Sequence, residues 1–87
     1  MGQVEFYALA GCPYCARVER VLDELDVPYE RHEVPPDHAD RTHLRELTGR
    51  TQVPAIVDRA HGIEGMVDSD AIIRHLRSTY GQPERAE

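Results

Sequence analysis

Two cysteines separated by a proline and a tyrosine are the residues of this chain best suited to chemistry. Cys12 and Cys15 are the only cysteines among the 87 residues, and they lie too close in sequence for a bridge that would staple a fold. Thiols spaced in this way can instead exchange disulfides: one sulfur attacks a target disulfide and the second releases the product. The pair therefore predicts thiol–disulfide redox chemistry.

The position of the pair, just before a helix-like segment, favours the first sulfur as the nucleophile. Pro13 suits the first position of a helix, since its fixed φ is helical and its missing N–H would have had no partner. The Cys12 sulfur would then face the free N–H groups of Tyr14 and Cys15, at the positive end of the helix dipole. A thiolate is stabilised in such a place. We expect Cys12 to attack and Cys15, more buried, to resolve the mixed disulfide.

Three other interpretations of the cysteines remain open from the residues alone. They could be two buried structural thiols, although the preceding Ala-Gly dipeptide fits an exposed helix tip better. They could bind zinc together with His38 and His43, although a long gap separates these histidines from Cys15. They could hold an iron–sulfur cluster shared between two chains, although Pro13 stiffens the loop that would have to open.

The hydrophobic pattern of the first half predicts alternating strands and helices around the pair. Residues 3–9 predict a strand. After the cysteines, apolar residues recur at helical spacing and predict a helix that Pro28 ends. The polar residues 28–34 predict an edge strand. A second helix is expected to begin at residues 35–37 and to end at Gly49. The residues expected to face the core are Val18, Val21, Leu22 and Leu25 in the first helix and Leu44 and Leu47 in the second.

The second half of the chain predicts a hairpin followed by a last helix. Residues 53–58 and 63–67 predict two strands joined by a turn, and Asp68 or Ser69 is expected to cap a helix that ends near Gly81. Its inward residues are expected to be Ile72, Ile73, Leu76 and Tyr80. The order β-α-β-α-β-β-α implies an α/β fold with a mixed four-stranded sheet and three helices, because a β-α-β unit is parallel and a hairpin is antiparallel.

Length and charge limit the classes of protein to which this chain can belong. We expect one domain over residues 1–81 and a frayed tail at 82–87. The net charge of −6 argues against a nucleic-acid binder, whose surface should be basic. No apolar run approaches the length of a membrane span, so we expect a monomeric protein of the reducing cytoplasm. All ten basic residues are Arg, which is compatible with a GC-rich or salt-loving source.

Two segments of the chain resemble one known family. Cys-Pro-Tyr-Cys after a strand is the motif of the dithiol glutaredoxins, small thiol–disulfide oxidoreductases of the thioredoxin fold. Residues 49–58, "GRTQVPAIVD", resemble that family's Thr-Val-Pro segment, in which the proline is cis. The resemblance covers the chain from Val4 to about Tyr80. It implies Cys12 as the nucleophile and Cys15 as the resolving thiol.

The same resemblance implies a binding groove for a thiol peptide such as glutathione. Val53 would offer its backbone N–H and C=O to the cysteinyl unit of the substrate, as an added strand does. The cis Pro54 would turn the backbone towards the cysteines, and Tyr14 would line the same groove. Arg50 resembles the basic residue that pairs with the glycine carboxylate of glutathione, although an ordinary solvated arginine is the plainer interpretation.

The segment expected to bind the other end of glutathione departs from the common glutaredoxin pattern. Residues 64–73, "EGMVDSDAII", are more similar to the loop of the glutathione transferase N-terminal domain that binds the γ-glutamyl group. By that resemblance Asp68 and Ser69 would hold its amino and carboxylate groups, aided by the helix N-terminus. Leu9 stands where many glutaredoxins have Lys, and Gln52 replaces the usual Thr. The smaller thiol γ-glutamylcysteine is therefore a second candidate.

The leading hypothesis is an enzyme that reduces protein or small mixed disulfides with glutathione or a related thiol as co-substrate and with no tightly bound cofactor. Disulfide-containing proteins and a low-molecular-weight thiol are its expected partners. The alternatives are a non-catalytic glutathione-binding domain of the transferase N-terminal type and a carrier of a metal or an iron–sulfur cluster. A passive binder would have little use for two cysteines at this spacing.

Overall fold

The computed structural model describes residues 4–81, which form one mixed four-stranded sheet. Its strands are β1 (Val4–Ala8), β2 (Tyr29–Glu33), β3 (Ala55–Asp58) and β4 (Ile63–Val67), in the spatial order β2-β1-β3-β4. β1 runs parallel to β2 and antiparallel to β3, and β3 runs antiparallel to β4. The polar strand β2 lies at an edge, as its sequence predicts. The expected tail at residues 82–87 lies outside the described residues.

Three α-helices connect and follow the strands. They are α1 (Pro13–Glu24), α2 (Thr42–Thr48) and α3 (Ser69–Tyr80). Short 3-10 helices occur at His38–Asp40 and Arg59–His61. Among residues 4–81, no helix combines the length and the apolar character that a bilayer crossing requires.

The sheet separates two hydrophobic clusters because successive strand residues face opposite sides. Helices α1 and α3 cover one face and α2 covers the other. The first cluster contains Val4, Phe6, Ala8, Cys15, Val18, Val21, Leu22, Val27, Ile56, Ile72 and Leu76. The second contains Tyr7, Val34, Leu44, Ala55 and Val57. The first cluster fixes the start of α1, since Cys15 belongs to it.

Two predicted boundaries are wrong. Residues 35–37 do not begin α2: the Asp37 side chain accepts from the Ala39 N–H and caps the 3-10 turn, which ends at Arg41 with a non-helical φ of −91° and ψ of 54°. The third strand begins at Ala55 rather than at residue 53, and Pro54, just before it, has no N–H to donate to a ladder.

The last turn of α2 confirms its predicted end. Gly49 adopts a left-handed φ of 77° and donates its N–H to the Arg45 carbonyl. A side chain is disfavoured in this conformation. The chain therefore leaves α2 sharply and turns towards the loop that precedes β3.

Candidate active site

Cys12 lies at the N-cap of α1, at the end of a short loop that leaves β1. Gly11 adopts a left-handed φ of 85°, which allows the tight turn. The Cys12 N–H donates to the Leu9 carbonyl at 3.2 Å, and the Ala10 N–H donates to the Glu33 carboxylate at 2.6 Å. The loop is therefore closed by a hydrogen bond within itself and is tied to the end of β2.

The Cys12 sulfur points at the open end of the helix. Its Sγ accepts a hydrogen bond from the Cys15 N–H at 3.2 Å, and Pro13 occupies the first helical position. The helix N-terminus favours negative charge on such an acceptor. Cys12 is half-buried, so a disulfide partner has access to its sulfur.

Cys15 has a different environment, although both cysteines are free thiols. It is only 2% exposed and belongs to the first hydrophobic cluster. Burial, followed by the hydrogen bond with the Cys12 side chain, raises the pKa of the Cys15 thiol to about 12. Cys15 is therefore protonated at neutral pH, and Cys12 is the more accessible of the two sulfurs.

A cleft of about 310 Å³ lies beside the start of α1 and contains five of the residues assigned by resemblance. They are Tyr14, Val53, Pro54, Asp68 and Ser69. The Val53–Pro54 peptide bond is cis, as the resemblance implies. Within the described part of the chain, the Val53 backbone N–H and C=O have no hydrogen-bond partner. Cys12 and Val53 both pack against the first hydrophobic cluster.

The start of α3 forms one side of the cleft. Asp68 occupies the N-cap position with a positive φ of 81°, and among residues 4–81 its side chain makes no capping hydrogen bond. The expectation that Asp68 or Ser69 begins this helix is confirmed, since Asp68 is its N-cap residue, but within the described residues the capping hydrogen bond typical of an aspartate at that position is not formed. A non-glycine residue in this conformation costs about 1–3 kcal/mol and is typical of functional sites. The first N–H groups of α3 remain available to a ligand.

Arg50 is not among the residues that line the cleft within the described part of the chain. It is exposed, and its backbone N–H and C=O both bond to the Thr48 hydroxyl at 2.9 Å. Sequence reasoning assigned no binding role to Arg17, Gln52 and Asp70, which do line the cleft. Arg17 follows Tyr14 by three residues, so a helix places both side chains on one face. This spacing could have predicted that Arg17 lies beside the same cleft as Tyr14.

Arg17 and Asp70 form an ion pair across the cleft, with 3.2 Å between Nη2 and Oδ1. Both side chains are largely exposed, so the pair contributes little to stability. It joins the rim of α1 to the rim of α3.

The two histidines considered as zinc ligands have separate partners. His38 Nδ1 lies 2.9 Å from the Thr51 hydroxyl, and His43 Nε2 lies 3.2 Å from the Tyr7 hydroxyl. Among residues 4–81, no three His, Cys, Asp or Glu side chains are grouped so that they could hold a metal ion.

Comparison with known proteins places the chain in a family. It matches the family model of the "Glutathione S-transferase, N-terminal domain" over residues 6–84. It is 33% identical over 72 residues to glutaredoxin 3 of Escherichia coli K12, covering 83% of this chain and 87% of that protein. It is 32% identical over 84 residues to glutaredoxin 1 of Rickettsia felis, covering 91% and 82%. The chain belongs to the glutaredoxin family and to the N-terminal domain family of glutathione S-transferases.

Solved structures similar to this glutaredoxin-family chain include glutathione transferases. A transferase homologue from Drosophila mojavensis, solved with bound glutathione, aligns with a TM-score of 0.81 and 25% identity over 94% of this chain. A transferase from Phanerochaete chrysosporium, solved with oxidized glutathione, aligns with a TM-score of 0.83 and 21% identity over 98% of this chain. The chain spans only 37% and 39% of their lengths. The thioredoxin-like fold implied by the sequence is confirmed.

Proposed function

We propose that this glutaredoxin-family chain is a glutathione-dependent thiol–disulfide oxidoreductase that acts through Cys12 and Cys15. The observation that carries the proposal is the contrast between the two sulfurs. Cys12 is accessible at a helix N-terminus, whereas Cys15 is buried and protonated at neutral pH. A nucleophilic thiol must be accessible to the substrate disulfide, whereas a resolving thiol reacts only after the mixed disulfide has formed beside it.

The chemistry conserves atoms and electrons in two steps. The Cys12 thiolate attacks the disulfide of the substrate, forms a mixed disulfide, and expels the other sulfur as a thiolate that takes up a proton. A glutathione thiolate, or Cys15 after losing its proton, then attacks this mixed disulfide. The first route returns reduced Cys12 and a glutathione disulfide. The second forms the Cys12–Cys15 disulfide, which two glutathione molecules reduce.

The contact between the two cysteines supports the resolving role of Cys15, since the Cys15 N–H donates to Cys12 Sγ at 3.2 Å. Cys12, through its hydrogen bond and then its charge, contributes to the raised pKa of Cys15. The contribution of charge ends when Cys12 enters a mixed disulfide, because a disulfide sulfur carries no charge, whereas the larger effect of burial remains. Cys15 then loses its proton more easily, at the moment when its attack is needed.

The cleft supports the assigned recognition of a γ-glutamyl thiol. The free backbone groups of Val53 would pair with the cysteinyl unit as an added strand, with Pro54 and Tyr14 beside it. The uncapped start of α3 at Asp68 and Ser69 would hold the γ-glutamyl end. These roles follow from the family resemblance and from the grouping of the residues around one cleft.

The identity of the small thiol forms a second part of the proposal. Leu9 packs against the second hydrophobic cluster and offers no charge to a glycine carboxylate. Arg50 is the remaining assigned partner of that carboxylate and lies outside the cleft lining. Glutathione and γ-glutamylcysteine are therefore both candidate co-substrates. Disulfide-containing proteins are the proposed targets, for a monomer that works in the cytoplasm.

Single-cysteine variants test the proposal in a reduction assay on a glutathionylated protein. The assay is run once with glutathione and once with γ-glutamylcysteine as the reducing thiol. We expect Cys12→Ser to abolish turnover, since no accessible nucleophile remains. Cys15→Ser should keep the reduction of glutathionylated targets and lose the reduction of disulfides within a protein. If Cys15→Ser is inactive and Cys12→Ser is active, the assigned roles are reversed. An inactive wild-type protein would refute the oxidoreductase proposal.

A non-catalytic glutathione-binding domain is the second candidate function. The match to the transferase N-terminal family over residues 6–84 favours it, as does the likeness to a transferase solved with glutathione. Isothermal titration with glutathione, alongside the reduction assay, separates the two functions. Binding without turnover would support the passive domain.

A further inference from the structure

Within the described residues, Arg41 is a buried cation that donates to three backbone carbonyls, and its Nη1 also lies 3.5 Å from His38 Nε2. Its residue is 4% exposed and lies between the 3-10 turn and α2. Its Nε donates to the Pro35 carbonyl at 2.7 Å, and Nη2 donates to the Pro36 carbonyl at 3.1 Å. Its Nη1 donates to the Thr51 carbonyl at 2.8 Å. A charge removed from water is costly unless its hydrogen bonds are satisfied.

The three carbonyls come from two segments that are distant in sequence. Pro35 and Pro36 follow β2, whereas Thr51 belongs to the loop that leads to the cis Val53–Pro54 bond. His38 Nδ1 lies 2.9 Å from the Thr51 hydroxyl. Thr51 is therefore held through both its backbone and its side chain.

Thr51 and Val53 are close along the chain, which limits their independent movement. Two residues span at most about 7 Å, and Gln52 between them lines the cleft itself. A shift of the Thr51 carbonyl would therefore displace the Val53 backbone. A misplacement of about 1 Å in a binding group can cost as much as about 100-fold in rate.

We propose that Arg41 is a positioning residue for the thiol-binding cleft: it fixes Thr51 and so holds the Val53 backbone where a γ-glutamyl thiol can pair with it. The inference rests on the proposed function. Arginine suits the task because its planar group presents several N–H donors in a fixed geometry, whereas lysine offers one point charge. Among the described residues that line the cleft, Arg41 is not included. Its replacement should therefore alter the binding of the thiol through the loop and leave the chemistry at Cys12 intact.

Arg41→Met and Arg41→Lys test this role through three measurements. KM and kcat are measured with a glutathionylated peptide and glutathione, Cys12 alkylation is measured with iodoacetamide, and stability is measured by urea unfolding. We expect Arg41→Met to raise KM for the glutathionylated peptide about tenfold and to leave Cys12 alkylation within about twofold of wild type, because iodoacetamide does not use the Val53 backbone. Arg41→Lys should raise KM less, since the ammonium keeps the charge and some of the hydrogen bonds but is too compact to span the carbonyls of both segments as the guanidinium does.

Arg45→Met is the matched control, because Arg45 is exposed and lies one turn further along α2. It should leave all three measurements unchanged. Unchanged KM in a folded Arg41 variant, with a lower free energy of unfolding alone, would show that Arg41 is merely structural and overturn the inference. A parallel loss of Cys12 alkylation would also overturn it. If Arg41→Met does not fold, Arg41→Lys decides between these outcomes.

The test also separates failure of this inference from failure of the proposed function. If the wild-type protein lacks reductase activity, the proposed function fails, and the dissociation constant for glutathione replaces KM as the readout. A rise of about tenfold in that constant for the Arg41 variants supports the positioning role. An unchanged constant refutes it.

Discussion

At Cys12 and Cys15, a difference in surroundings separates two identical side chains one helical turn apart. Cys12 is half-buried and receives the Cys15 N–H. Cys15 lies in the first hydrophobic cluster. Burial there has the largest effect among the causes that raise the pKa of its thiol to about 12. Reactivity at this site is therefore set by position rather than by residue type.

Alkylation with iodoacetamide should distinguish the two thiols across neutral and mildly alkaline pH. The raised pKa keeps the Cys15 thiol protonated until the pH approaches about 12, and only the thiolate reacts. We expect mass spectrometry to find a single modification, on Cys12, in the folded protein. Both cysteines should react in urea. Equal labelling of Cys15 in the folded protein at neutral pH would contradict its protonated, buried state.

The end of β3 is joined to α3 by a buried carboxylate. Asp58 is fully buried, and its Oδ2 accepts from the Tyr80 hydroxyl at 2.7 Å and lies 3.0 Å from both His75 Nε2 and His61 Nδ1. Burial by itself would raise the pKa of Asp58, but the hydrogen bonds from Tyr80, His75 and His61 outweigh it and hold the pKa below its usual range. This junction anchors the C-terminal turn of the helix whose N-terminus, at Asp68, borders the cleft.

Tyr80→Phe should weaken this junction in a pH-dependent way. Loss of a hydrogen bond to a charged group costs about 1.5–3 kcal/mol of unfolding free energy. Because the folded pKa of Asp58 is lowered, its stabilising effect is present above the unfolded value of about 3.9 and disappears as the pH falls through the folded value. Urea unfolding should therefore show the full cost at neutral pH and a smaller cost in acid.

Tyr14→Phe is the control for this measurement. Tyr14 is 59% exposed, so removal of its hydroxyl should change the free energy of unfolding little at any pH. A cost for Tyr80→Phe that does not vary between neutral and acid pH would refute the link to the Asp58 carboxylate.

The whole molecule carries a net charge of −6, which should affect its encounters with charged substrates. Long-range attraction raises association rates for partners of opposite charge and is screened by salt. Basic disulfide-containing proteins should therefore meet this surface faster than acidic ones. The effect concerns encounter rather than chemistry, since the sulfur at the helix N-terminus is the same for every substrate.

Salt dependence of kcat/KM tests this steering. Between about 0.01 M and about 0.1 M salt the Debye length falls from about 30 Å to about 10 Å. We expect kcat/KM for a basic glutathionylated protein to fall severalfold over this range, while kcat/KM for a small uncharged disulfide changes little. An equal salt effect on both substrates would show that charge steering is absent.

Local patterns in the sequence were sufficient to predict the order of the elements and the family. Helical spacing identified the inward face of α1, confirmed by the burial of Val18, Val21 and Leu22, and Gly49 identified the end of α2. These features depend on neighbours in the chain, which the sequence displays directly. The start of α2 was misplaced because Asp37 caps a 3-10 turn instead, a local competition that a proline-rich segment does not reveal.

The amino-acid sequence by itself determined the strand and helix order, the placing of two cysteines at a helix start, and the family, because periodicity, turn residues and the Cys-Pro-Tyr-Cys motif are local properties. Only the tertiary structure decided which polar residues are buried and what they hold. Arg41 reaches the Thr51 carbonyl, and Asp58 meets Tyr80, only after distant segments pack together. Arginine and aspartate are usually exposed, so their burial here follows from contacts that no pattern along the chain encodes.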